Sequence, residues 1–430
     1  MSKTAKEKTD VREFVANGGS LQKAMTTGKR IKGDNMAIHQ EAESQPMIPK
    51  GRNLIEVAAR KIDPANNLLG DRWIAKGLRA ALVVGSTGIG KSSTGYQAAM
   101  SFACGREAFG LTPNGKLRVL IIQAENDADD ETEMTSGIES YLNLEDWERQ
   151  DVATNTEVVT LRGLTGAALI DALEIKFRES PFDLLIIDPL DVYLPGGDPT
   201  NVEEVAKFFD GFTETRYLGK EPTEVWRKGL NSLTQELKMG ALVFAHTPKT
   251  TNRDTSTWNE DDWAYASAGA AKLNNSTSAS LIISPTDTAG VYEFRAAKRR
   301  KRIGWRDHEG NKVHVRFYAH GTTSIHWEPV SGQEVQKRRE DAAQDRNETN
   351  LEAIAERIQD SGGAIGRQEL LDNLPAGLTV KAAKAAIAVG KTHGRIVEQT
   401  AKEMGITGHG GANKVFVALV ASTDSEGEEQ

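Results

Sequence analysis

Between residue 80 and about residue 327 the chain alternates short runs that are apolar along their whole length with longer stretches of helical character. The runs ALVVG, RVLIIQAE, FDLLIID and GALVFAH are too short for buried helices and lack the in–out alternation of half-exposed strands, so they predict strands covered on both faces. SSTGYQAAMSFAC, ALIDALEIKFRES and a long stretch after Asp188 predict helices between them. Strand followed by helix, repeated, predicts an α/β fold with a mainly parallel sheet. The later runs SASLIIS, VYEFRAAK and KVHVRFYAH end at turn residues and predict antiparallel strands added at one edge. The sequence holds no internal repeat.

The flanks are patterned differently. Residues 1–50 are polar and mixed in charge, which predicts a flexible arm with at most short helices. Residues 51–330 hold the α/β core. Residues 331–350, SGQEVQKRREDAAQDRNETN, are almost devoid of apolar side chains and read as a charged linker with helical potential. In residues 351–420 the order is helix LEAIAERIQ, extended AIG, helix RQELLDNL, helix TVKAAKAAIAVGKTHG, strand RIVEQT, loop GITGHGGAN and strand KVFVALV. Three helices and a two-stranded wing predict a winged-helix-like domain. Its third helix carries Lys381, Lys384 and Lys391 and would enter a groove in a DNA-binding version; the same architecture also serves protein–protein contacts. Residues 421–430 form an acidic, solvated tail.

Composition narrows the partners. A chain of 430 residues exceeds what one core supports, so two or three domains are expected. With 53 basic and 61 acidic side chains the formal charge is -8, which excludes a uniformly basic nucleic-acid coat and leaves only a local patch for such contact. The single cysteine, Cys104, excludes an internal disulfide framework and a four-cysteine zinc site; within AAMSFACG it reads as a buried structural thiol. No apolar stretch approaches the roughly 18 residues of a membrane span, and MSKTAKEKTD lacks a secretory pattern. A cytoplasmic protein without membrane partners is therefore expected.

The strongest chemical signal is GSTGIGKS, formed by Gly85, Ser86, Thr87, Gly88, Ile89, Gly90, Lys91 and Ser92, which fits G-x-x-x-x-G-K-[ST] between a strand and a helix. Glycines let the backbone wrap a phosphate with its N–H groups inward, and the helix N-terminus adds favourable potential. Lys91 would contact the β and γ phosphates of ATP, Ser92 would hold Mg2+, and Ser93 completes the nucleotide-binding set. A P-loop NTPase also needs an acid at the end of a neighbouring buried strand, and FDLLIID supplies Asp188 as a metal ligand. Glu125, ending RVLIIQAE, stands where a carboxylate can orient the attacking water.

With LLGDRWIAKG before the loop, the glutamate in IIQAEN, IIDPL at the second acid and FAHTPK after a fourth strand, residues 62–305 resemble the RecA-like ATPases, and within them the RepA-type hexameric replicative helicases of plasmids and phages. The resemblance implies a catalytic base at Glu125, a second-shell magnesium ligand at Asp188 and a γ-phosphate sensor at His246. It implies a cation from a neighbouring subunit as well. The arginine that plasmid relatives carry in the segment matched by AGAAKLNNSTSASLII is replaced here by Ser276, Thr277 and Ser278 after Asn275, whereas AAKRRKRIG is similar to the K-x-R pattern of replicative hexamers. Lys298 and Arg300 are the candidates for that trans role, the alternative being contact with nucleic-acid phosphate. Two loops, residues 193–201 and the stretch after Lys249 with Arg253, Trp258, Trp263 and Tyr265 beside Glu260, Asp261 and Asp262, match channel-lining positions. The implied function is Mg-dependent ATP hydrolysis coupled to translocation on single-stranded DNA by a homo-oligomer, expected to be a hexameric ring, with a replication initiator or primase as further partner. A recombination or repair ATPase, or an ATP-switched DNA-binding regulator of replication or partition, are the alternatives.

Overall fold

A computed structural model describes residues 51–218, 221–246, 271–405 and 414–420. The expected arm at 1–50, most of the glycine-rich loop near 405–413 and the tail at 421–430 lie outside the described residues, as do Lys249, Arg253, Trp258, Glu260, Asp261, Asp262, Trp263 and Tyr265. The chain divides into two compact units, Met1–Val330 and Ser331–Gln430.

The first unit begins with helix α1 (Leu54–Ala59) and a small antiparallel pair, β1 (Asn67–Leu69) and β2 (Ile74–Ala75). Then follow β3 (Ala81–Gly85), α2 (Lys91–Ala103), β4 (Val119–Gln123), α3 (Ala128–Leu142), α4 (Asp146–Asn155), β5 (Thr156–Thr160), α5 (Gly166–Glu179) and β6 (Leu184–Asp188). After these come α6 (Leu190–Tyr193), α7 (Val202–Asp210), β7 (Phe212–Leu218), β8 (Glu221–Arg227), α8 (Leu230–Leu237), β9 (Gly240–His246), α9 (Ala271–Ser276), β10 (Ala279–Pro285), β11 (Val291–Ala296), β12 (Val315–His320) and β13 (Trp327–Val330).

Nine of these strands form one sheet in the order β13-β12-β11-β10-β3-β9-β6-β4-β5. From β10 to β5 every neighbouring pair is parallel. The uniformly apolar strands have the origin expected of them, since successive residues serve opposite layers: Ala81 and Val83 join the core that holds Phe102, Phe294 and Trp305, while Leu82 and Val84 join the one that holds Leu169, Phe208 and Leu233. Cys104 is buried at the end of α2, and burial pushes its thiol above the ordinary value.

Two sequence expectations need correction. SASLIIS is not an antiparallel addition: β10 runs parallel to β3, because α9 ends beside the start of β3, where the Ser278 N–H donates to Ala80 O (2.8 Å), so the strand enters from the same edge. Antiparallel pairing begins only with β11, β12 and β13. The long stretch after Asp188 is not all helix either. Residues 212–227 form a two-stranded hairpin whose alternating Thr213, Thr215, Tyr217 and Glu224, Trp226 face outward, with Arg227 pairing Asp171 on α5. Threonine, valine and aromatic side chains at every second position favour that pleat over a helix.

The outermost strand is fastened to the helix that follows the phosphate loop. Gln97 on α2 donates from its amide nitrogen to Trp327 O (2.9 Å) and accepts from Trp327 N (2.8 Å), all within the interior. Replacing Gln97 with alanine would leave a buried N–H and C=O unpaired, so a loss of about 2–4 kcal/mol is expected. A urea titration of the Gln97→Ala protein measures it, and an unchanged midpoint would show that the clasp contributes nothing.

The second unit opens with a 29-residue helix, α10 (Gly332–Asp360), capped by the Ser331 hydroxyl, which accepts from Glu334 N (3.0 Å). Residues 331–350 are thus mostly helix, rather than a linker between folded pieces. Then come β14 (Ala364–Gly366), α11 (Arg367–Asp372), α12 (Val380–Thr392), β15 (Ile396–Thr400) and β16 (Val415–Leu419), with β16 central in a three-stranded sheet. Leu351, Ile354, Ile358, Leu370, Ile387 and Val417 form its core.

Candidate nucleotide site

A parallel sheet brings the C-terminal ends of its strands to one edge, and the registers Gly85↔His246 and Gln123↔Asp188 place the sequence-selected groups there together. The loop from Gly85 to Gly90 joins β3 to α2, whose 13 residues start at Lys91. Gly90 has φ 90°, and a Cβ there would meet His320 Cε1 at 2.5 Å and Trp327 Cζ2 at 2.8 Å, so only glycine fits. Trp327 Nε1 donates to Ser93 Oγ (3.0 Å) and to Gly90 O (3.3 Å). His320 hydrogen-bonds the Ile89 backbone and packs its ring on Trp327, with burial holding its imidazole below the ordinary value. The loop therefore rests on a floor supplied by β12 and β13.

Lys91 is buried, and its ammonium donates to Gly85 O (3.0 Å), Ser86 O (2.9 Å) and His246 Nδ1 (3.0 Å). Desolvation lowers its pKa against the opposing pull of Asp188, Glu125 and Asp191. An ammonium can only donate, so Nδ1 accepts and the proton of a neutral His246 lies on Nε2. That nitrogen faces Glu125 Oε1 at 3.9 Å and Asp191 Oδ1 at 4.0 Å, while Thr87 Oγ1 lies 3.1 Å from Nδ1. Asp188 is buried, which raises its pKa, and the Ser92 hydroxyl bonds its carboxylate. A hydroxyl and a carboxylate are hard oxygen donors, so Ser92 and Asp188 fit magnesium. Glu125, Asp191 and His246 also place one ligand atom each within 4.8 Å of one another.

Glu125 stands on a braced turn. Asn126 N donates to Gln123 Oε1 (3.0 Å), Gln123 Nε2 donates to Asn126 O (3.2 Å), and Arg162 Nε donates to Ala124 O (2.8 Å). The carboxylate itself is 52% exposed, so water reaches it. Sequence reasoning missed Asp191, His320, Trp327 and the Gln123 brace. Asp191 carried a signal, since it follows Asp188 closely at the same edge; the other contacts join distant segments and leave no local trace.

Lys298 and Arg300 are not part of this constellation. They follow β11, whose last residue Ala296 pairs with Leu281 near the start of β10, at the opposite edge. The Lys298 ammonium donates to Asn274 O and Thr277 O (both 2.6 Å), and burial lowers its pKa. The loop at 193–201 is described: it follows α6, holds one tight turn at Pro195–Gly197 and leads into α7, capped by Asn201.

Residues 50–219 match the AAA domain family AAA_25. No curated protein matches the sequence significantly. Among solved structures, the ATPase domain of a helicase superposes with a TM-score of 0.36 at 11% identity, over 59% of this chain and 86% of that one. The RadB recombinase gives the same score and identity, over 59% of this chain and 91% of its own. Among the described residues no helix is long and apolar enough to cross a membrane. The segment bearing the phosphate loop, Glu125 and Asp188 is similar to AAA domains, and the chain carries a RecA-like P-loop ATPase core.

Proposed function

We propose that the protein is a magnesium-dependent ATPase that moves along single-stranded DNA as a RepA-type replicative helicase, assembled as a homo-oligomeric ring. The observation that carries the reading is the meeting of the phosphate loop, Asp188, Glu125 and His246 at one sheet edge. Residues Gly85 to Ser93 cradle the phosphates of ATP, with the α2 N-terminus and Lys91 opposing their charge. Ser92 and Asp188 hold magnesium, which neutralises charge on the phosphates when bound. Glu125 accepts the proton of the attacking water. His246 lies between the loop and Glu125, touching Lys91 and Thr87 through Nδ1, so its position responds to what the loop holds.

Lys298 and Arg300 lie at the far edge from their own phosphate loop, so they can act on a γ-phosphate only in a neighbouring copy. The two carbonyls bound by Lys298 favour Arg300 for that role. The channel strand would run past the loop at 193–201 and the stretch after Lys249. The helix order of the second unit and the exposure of Lys381 and Lys384 on α12 support a winged-helix module; Lys391 pairs with Glu398. An initiator or primase remains the expected partner class. ATP hydrolysis should rise with added oligo(dT), and a forked duplex should be unwound with ATP. Hydrolysis indifferent to single strands would remove the motor reading, and stimulation without strand displacement would favour a filament-forming ATPase.

A further inference from the structure

At the far edge of the sheet the turn between β1 and β2 touches the segment after β11 backbone to backbone. Asp71 N donates to Arg302 O (2.8 Å), and Gly70, at φ 62°, is so close that a Cβ would meet Ile303 O at 2.5 Å. This contact fixes Arg72 beside Arg299 and Arg302. Arg72 (φ 63°) and Arg299 (φ 58°) both adopt the left-handed backbone region, which side chains other than glycine occupy at a cost. In each the guanidinium Nε is buried without a hydrogen-bond partner. The ion pairs of neighbouring Arg295 and Lys272 go elsewhere, and among the described residues none joins Arg72, Arg299 or Arg302 to a carboxylate. Burial, then the like charges of Arg302 and Arg72, hold Arg299 below the ordinary guanidinium value.

Three cations drawn together, with strained backbone and unused donors, are unfavourable unless something anionic completes them. A planar fork of N–H donors matches a tetrahedral oxyanion, which offers several acceptor oxygens at once. We propose that Arg72, Arg299 and Arg302 form a binding site for a phosphate group, separate from the phosphate loop. A five-residue strand puts about 16 Å between the two sheet edges, so the group is brought by another molecule, not by the ATP bound in the same core. Its source is either the phosphodiester backbone of a nucleic acid or free phosphate.

The test uses the full chain carrying Lys91→Ala, so that phosphate binding at the loop does not contribute. It is titrated at fixed ionic strength with inorganic phosphate by calorimetry and with labelled oligo(dT) by anisotropy. Saturable binding is expected, weakened about tenfold by Arg299→Gln or Arg302→Gln, as for loss of one charge-assisted contact. If the source is a nucleic acid, oligo(dT) shows the loss, and its salt dependence becomes shallower by about one unit of slope for each arginine removed. If it is free phosphate, only the calorimetric titration shows the loss. Arg302 is exposed with ordinary backbone angles, so Arg302→Gln keeps the test decisive should Arg299→Gln misfold. Equal affinity of the parent and both arginine variants for both ligands, or absence of binding, overturns the site. Failure of the ATPase reading would show instead as retained hydrolysis in Lys91→Ala.

Discussion

Lys91→Ala is expected to reduce ATP hydrolysis by a factor of about 10³ or more, since it removes the positive charge nearest the transferring phosphoryl group from a site where water cannot replace it. The residue is 5% exposed and sits at the first position of α2, where the strand, loop and helix N-terminus converge. Its pKa is lowered by burial, which means that the ammonium costs the protein something to keep charged before any phosphate arrives. The substitution therefore need not destabilise the fold, and a thermal melt of the same preparation separates a catalytic defect from misfolding. Phosphate-release rates give the result. Hydrolysis within a few-fold of the parent would sink the whole nucleotide-site reading.

For Glu125→Gln the expected loss is about 10²–10⁴ in turnover, the usual contribution of a positioned proton acceptor. The amide keeps the size and hydrogen-bonding reach of the side chain but cannot take a proton from water. Because Glu125 is half exposed on a turn braced by Gln123 and Arg162, neither packing nor loop geometry should change. Nucleotide affinity, followed with a fluorescent ATP analogue, should stay near that of the parent while single-turnover hydrolysis collapses. A matched fall in affinity would assign Glu125 to binding, and full activity would move the proton acceptor to Asp191, the other carboxylate facing His246 Nε2.

What the sequence made legible follows from locality. A strand buried on both faces is apolar along its length, and a parallel sheet delivers Gly85, Asp188 and His246 to the same edge without further information. The phosphate loop is recognised from its own contiguous residues, Gly85 to Ser92. The hairpin at 212–227 escaped because its period-two pattern is short and sits between helices. The direction of β10 escaped because apolar content does not encode which edge a strand enters from. Gln97 and Trp327 are separated by 230 positions, and the floor of the phosphate loop, His320 and Trp327, comes from strands whose own pattern says nothing of what they will support. The arginines at 72, 299 and 302 are legible as charges but not as neighbours, since only the Asp71–Arg302 backbone contact brings them together.

The strand order also governs when the nucleotide site can exist during synthesis. β3 carries the phosphate loop near residue 85, yet its partners in the sheet are β9 at 240–246 and β10 at 279–285. For roughly the first two hundred residues after it leaves the ribosome, this strand has no flank to pair with, and closing so long a loop is slow. The floor under Gly90 arrives later still, with β13 at 327–330. Nascent chains ending before that point hold the whole phosphate-loop motif in their sequence while lacking the sheet neighbours that shape it, so nucleotide retention on ribosome-bound chains of increasing length would report the closing step of this unit's folding.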